Sequence, residues 1–331
     1  MEQITDKKPL SIDELLEARK YNPNYEPNKE DKILSIGGRL VGSLSNFCIF
    51  SGLPKAGKSS YLMGAIASSL IHHEIFSMKI NFPTDRRKIC LFDTESSDYD
   101  FYMNLKKIKS FSGLITLPDY FNAYQVREDG SGIIRKMIER YLELNTDCSV
   151  IIVDGLLDLL VNYNDERESS LLTKWLKKIT KQYNILLISV LHQSKSNLST
   201  TGHIGANSDR FAQSTLDIVK DKEKNTYILT SRFMRSDIDF EPVTLMNFNG
   251  VFQQVDNDGV KPTGKKASDL DKMESKRICS QIVTIPMLYS DILDEIKERT
   301  AESTTYAKQL LKIWINEKMI IKNHENKYQL F

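Results

Sequence analysis

The chain has 331 residues, 40% hydrophobic and 27% charged, the balance of an ordinary globular protein with room for one large core and one small appended module. Its 45 Lys and Arg against 44 Asp and Glu leave a net charge of +1, which excludes a global basic field for attracting nucleic acid but leaves local patches open. No stretch approaches the ~18 consecutive apolar residues of a membrane span, and Met1 to Pro9 is charged rather than apolar like a signal peptide. A cytoplasmic protein with no membrane partner is therefore expected. Cys48, Cys90, Cys148 and Cys279 stand singly, and the first three lie in apolar runs, so they read as small buried hydrophobes.

In chain order, Ser11-Ile12-Asp13-Glu14 forms a capping box that opens a short helix to about Lys20. Tyr21 to Asn28, with Pro23 and Pro27, follows as a linker, so residues 1–33 read as a tethered helix, either a surface decoration or an arm for a neighbouring subunit. Residues 34–256 alternate short apolar runs (47–50, 89–92, 120–126, 149–153 and 185–190) with amphipathic stretches (59–72, 99–109, 132–144 and 169–182). This is the pattern of an α/β fold with a mostly parallel sheet covered on both faces. Runs at 216–220, 226–232 and 243–248 lack intervening helices and suggest an antiparallel extension. Residues 257–275, rich in Lys, Asp, Gly and Ser, read as a second linker before a C-terminal module at 276–331.

The strongest chemical signal is Gly52-Leu53-Pro54-Lys55-Ala56-Gly57-Lys58-Ser59, a complete G-x-x-x-x-G-K-[ST] between an apolar strand and a helix. Its glycines let backbone N–H groups, through Ser60 at the helix start, wrap around phosphates. Lys58 reaches the β- and γ-phosphates of ATP, and the Ser59 hydroxyl can ligate Mg²⁺. The apolar run Val150 to Val153 ends in Asp154, a second candidate Mg²⁺ ligand. Gly155 follows it, so a water-activating carboxylate must come from elsewhere. Glu95, just past the strand Lys88 to Asp93, is the candidate, with Asp93 as the other. His192 and Gln193 end the next apolar strand, where they can reach a γ-phosphate.

Taken together, the phosphate loop, the strand leading to Glu95, the strand ending in Asp154 and the strand ending in His192-Gln193 resemble the RecA-like ATPases over residues 30–255. The resemblance is to the RepA-type hexameric helicases and related ATPases of plasmids and mobile elements. It implies a homo-oligomer, a ring or a filament with a hexamer expected, with ATP held between subunits. It also implies a basic finger reaching the neighbour's γ-phosphate, for which Arg232 and Arg235 are candidates and Arg210 an alternative. The polar segment Ser194 to Ala206, with Lys195, Thr200, Thr201, Gly202, His203 and Gly205, would be the loop touching single-stranded DNA, or a plain surface loop.

Three helices and a two-stranded ribbon in the C-terminal module resemble a winged helix. Ala307, Leu310, Leu311 and Trp314 would form its buried stripe, and Thr304, Thr305, Tyr306, Lys308, Gln309 and Lys312 its exposed face. Residues 256–331 carry 13 Lys and Arg and 12 Asp and Glu, so either duplex DNA or a protein fits it. The whole reads as a DNA-dependent ATPase, a ring helicase or translocase serving a mobile element. The alternatives are an ATP-switched adaptor or loader without unwinding activity and, third, a small-molecule kinase.

Overall fold

In the computed structural model, residues 11–26, 31–193, 202–248, 251–255, 272–300 and 304–331 are described. The chain divides into two compact units, Met1–Asp31 and Lys32–Phe331. The first contains helix α1 (Ile12–Ala18), opened by the expected capping box: Ser11 and Glu14 each accept the other's backbone N–H. It buries none of its own residues, and Ile12 and Leu16 stay exposed.

The second unit begins with β1 (Leu34–Ile36) and β2 (Arg39–Gly42), which with β4 (Met78–Ile80) form a small antiparallel sheet. Three- and four-residue strands carry too little alternation to be read from sequence. The main sheet takes β3 (Asn46–Gly52), β5 (Lys88–Asp93), β6 (Phe121–Gln125), β7 (Cys148–Asp154), β8 (Leu186–His192) and β9 (Ser214–Asp221) in parallel. β10 (Thr226–Met234), β11 (Val243–Phe248) and β12 (Val251–Val255) extend it antiparallel, in the order β12-β11-β10-β9-β3-β8-β7-β5-β6. The expected antiparallel extension thus starts one strand later, because β9 lies parallel to β3.

Alternation along the strands fills both faces. Cys48, Phe50, Val150, Ile152, Leu186 and Ile188 pack on one side, under α2 (Lys58–Ile71) and α3 (Asp98–Ser112). Phe47, Ile49, Ile151, Val153 and Leu187 pack on the other, under α4 (Ser131–Leu144) and α5 (Glu166–Tyr183). A period of two on a doubly covered sheet gives continuous apolar runs, which is why these strands were legible. Caps fix the helix ends: Ser97 accepts from Asp100 N at α3 and Asp165 from Glu168 N at α5. The hydroxyl of Tyr61 ties α2 to the extension, donating to the carbonyls of Tyr227 (2.6 Å) or Val243 (2.8 Å). All four cysteines are free and buried, and burial pushes their thiols up.

The segment expected as a polar loop through Ala206 needs correction. Residues 194–201, with Lys195, Thr200 and Thr201, lie outside the described residues, but Gly202–Phe211 is a helix, α6. Ile204 buries its side chain in the core beside α5, and that burial outweighs the weak propensity of Gly202 and Gly205. His203 is exposed on this helix.

At the C-terminus, α7 (Lys272–Ile282), α8 (Tyr289–Thr300), α9 (Thr304–Asn316) and the hairpin β13 (Ile320–Lys322) with β14 (Tyr328–Leu330) close over their own core. Ala307, Leu310, Leu311 and Trp314 are all fully buried there, as their spacing predicts, while Lys308, Gln309 and Lys312 are exposed. Residues 257–271 of the expected linker lie outside the described residues, as do the side chains of Thr304, Thr305 and Tyr306. Among the described residues no helix is long and apolar enough to cross a membrane.

Candidate active site

β3 ends at Gly52, the loop turns back, and α2 begins at Lys58. Two of the loop glycines are required by space. A Cβ on Gly52 would lie 2.5 Å from the carbonyl oxygen of Ile218, and one on Gly57, where φ is +88°, would lie 2.6 Å from the Tyr227 ring. Beside the loop is an open cleft of about 270 Å³, lined by Lys55, Ala56, Gly57, Lys58, Ser59, Ser60, Glu95, Lys107, Asp154, Val190, His192, Tyr227 and Phe252. Pro54 is exposed, and Leu53 contributes its carbonyl to the lysine rather than a side chain to the cleft.

Lys58 is the hub. Its ammonium donates to the carbonyls of Gly52 (3.0 Å) and Leu53 (2.8 Å) and lies 3.2 Å from Nδ1 of His192. On the other side of that imidazole, Nε2 lies 2.9 Å from Oε1 of Glu95. A neutral ring protonated on Nε2 satisfies both contacts, accepting from the lysine and donating to the carboxylate. Sheet order makes this chain possible, because β8 lies between β3 and β7 and sets His192 level with Gly52. Burial lowers the pKa of Lys58 to about 8, against the opposing pull of Glu95 and Asp154.

Asp93 and Glu95 divide their work. Asp93 is fully buried, and its Oδ1 accepts the N–H groups of Glu95 (3.1 Å) and Ser96 (2.8 Å), while Asn104 approaches its Oδ2 at 3.5 Å. Its bonds build the turn that presents Glu95, and Glu95 is the carboxylate that lines the cleft. The next strand explains Gly155. At φ +126° it passes so close that a Cβ would collide with Thr94 Oγ1, lie 2.6 Å from Asp158 Oδ2 and crowd Glu95 Cγ at 3.2 Å. A side chain directly after Asp154 is excluded by the residues that position Glu95. Thr94 spans the gap, with Oγ1 2.9 Å from the Asp154 carbonyl and 2.5 Å from Asp158 Oδ2.

Asp154 is buried, and among the described residues its Oδ1 has no hydrogen-bond partner. Burial, then the charges of Asp93 and Glu95, raise its pKa to about 7, while Ser59 and Lys58 pull it down. An orphaned carboxylate oxygen beside the Ser59 hydroxyl fits a hard divalent cation such as Mg²⁺. Among the described residues no cluster of three His, Cys, Asp or Glu could hold a metal unaided.

Other expected residues lie elsewhere. Gln193 turns to Ser51 Oγ (3.1 Å) and Asp217 Oδ1 (2.8 Å). Arg232 pairs with Asp209 (3.3 Å) and Asp217 (3.6 Å), whereas Arg235 is exposed and donates to the Arg210 carbonyl at 2.7 Å. Arg210 is also exposed, with its guanidinium over the Phe211 ring. None of the three arginines lines the cleft. Lys107, Tyr227 and Phe252 were not foreseen. They reach the cleft through the packing of α3 and the return of β10 and β12, which no local motif marks.

No family model matches the chain, and no curated protein matches it. Solved structures do match, among them a DnaB-like replicative helicase described together with its interactions with primase. That match has 15% sequence identity and a TM-score of 0.46, and covers 63% of this chain. It spans 57% of the helicase chain, less than two thirds of its length. The α/β architecture itself, a large mostly parallel sheet with an antiparallel extension, is that of the expected fold class.

Proposed function

We propose that this protein is a DNA-dependent ATPase of the RecA-like type, working as a ring-forming RepA-like helicase or translocase in the replication or excision of a mobile element. The observation that carries the hydrolase reading is the chain Lys58–His192–Glu95 beside the orphaned carboxylate of Asp154. The amides of Lys55 to Ser60 and the Lys58 ammonium hold the phosphates. Ser59 and Asp154 would hold Mg²⁺, which when bound neutralises phosphate charge. Glu95 orients a water and takes its proton, and His192 fixes the direction of that carboxylate.

Assembly supplies the remaining charge in this reading. Arg232 is committed to two carboxylates of its own chain, so the exposed Arg235 is the better finger for a neighbour's γ-phosphate. Single-stranded DNA would contact the segment before α6. The C-terminal module would act as a winged helix, with the Lys308, Gln309 and Lys312 face of α9 toward duplex DNA or a protein. That exposed face also favours a second reading, an ATP-switched adaptor or loader without strand separation.

The tests separate these levels. Lys58→Ala should abolish nucleotide binding, and Glu95→Gln should bind ATP yet lose about 10²–10⁴-fold in turnover. Undiminished hydrolysis by Glu95→Gln refutes its role as base. Particle mass should rise to a hexamer with ATP and single-stranded DNA, and a monomer under all conditions refutes the motor. DNA-stimulated hydrolysis without strand displacement selects the adaptor.

A further inference from the structure

Two adjacent lysines on α3 behave differently. Lys106 points outward and pairs with Glu298 of α8 across 3.4 Å, both side chains being well exposed. Lys107 lines the same cleft as Lys58, Glu95 and Asp154. Its ammonium donates to the uncharged Oδ1 of Asn104 at 3.2 Å, and among the described residues it forms no ion pair. Burial lowers its pKa, opposed by the charges of Asp100 and Asp154. A partly desolvated cation without a counter-ion is costly, and an anion entering the cleft offsets that cost.

Its anchor is informative. The Asn104 amide also donates toward Ser96 Oγ (3.2 Å) and Asp93 Oδ2 (3.5 Å). Lys107 is therefore held on the turn that presents Glu95, whereas Lys58 is held by the carbonyls of the phosphate loop. The loop cradles inner phosphates, and Glu95 addresses the phosphate that leaves. A cation fixed beside Glu95 stands at that outer end.

We propose that Lys107 is a second phosphate-binding cation of this site, contacting the terminal phosphate of a bound nucleoside triphosphate from within the same subunit. The proposal rests on the hydrolase reading above. It differs from a finger supplied in trans, since charge gathering on the terminal phosphate meets a cation whether or not a neighbour is present.

The test uses the full chain carrying Glu95→Gln, so that ATP persists, and measures affinity for magnesium-bound ATP and ADP. Lys107→Met should weaken ATP about tenfold or more and leave ADP within about twofold, the loss expected for one charge-assisted hydrogen bond. Lys107→Arg should restore ATP binding, and Lys106→Met should change neither nucleotide. Equal losses for ATP and ADP, or no loss for ATP, overturn the proposal while leaving the hydrolase reading intact. A parent protein that binds neither nucleotide overturns both.

Discussion

In the C-terminal module, charged side chains find partners close by and near water: Lys297 meets Asp294 at 3.2 Å and Lys327 meets Glu325 at 3.2 Å. In the cleft, Lys58, Lys107 and Asp154 are drawn out of water and form no ion pair among the described residues, and each has its pKa moved toward the neutral form by burial. In the first region these exposed pairs settle their charges within the chain. The other holds them at a cost that a phosphate and a cation would relieve in the proposed nucleotide site, the usual trade between stability and function.

The contrast can be broken most severely at Gly155. Gly155→Ala adds a methyl group where Thr94, Asp158 and Glu95 converge, at a φ unfavourable for alanine. Displacing a catalytic group by about 1 Å can cost about 10²-fold in rate. We expect a loss of that order in phosphate release with ATP affinity retained. Parental turnover would mean that the carboxylate tolerates movement and the crowding has no catalytic consequence.

An effect on stability rather than on rate is expected at Asp154, whose pKa rises from 3.8 to about 7 on folding. The folded chain holds that proton more tightly than the unfolded one, so folding is favoured at acid pH and the advantage is lost as pH rises from about 4 through 7. Asp154→Asn removes this slope, and above about pH 7 the variant should be more stable than the parent, by on the order of a few kcal/mol in urea titrations. Magnesium with nucleotide should stabilise the parent and not the variant. Equal stability above neutrality would show that the buried charge is already compensated.

The smallest effect belongs to the other region. Asp294→Asn breaks an exposed pair, so less than about 0.5 kcal/mol should be lost in thermal or urea unfolding, with nucleotide affinity unchanged. A larger loss would erase the distinction between the two regions.

What could be read before folding follows the same division. The phosphate loop, Glu95, Asp154 and His192 sit at the ends of apolar strands, and a parallel sheet gathers strand ends on one edge. The stripe ending in Trp314 was legible from helical spacing alone. Lys107 was not, because whether a lysine on α3 faces the cleft or Glu298 depends on how the helix is rolled. The commitment of Arg232 needs Asp209 from α6 and Asp217 from β9, which meet only when the sheet closes. Tyr227 reaches Gly57 across the antiparallel return, a contact with no local signature.

The imidazole of His192 has two ring nitrogens, and both are engaged. A phosphate that draws the ammonium of Lys58 toward itself takes one partner from the ring and leaves Glu95 as the other. In the proposed ATPase, arrival of the substrate on the β3 side would thereby be felt at the carboxylate after β5, across the width of two intervening strands, through a single ring.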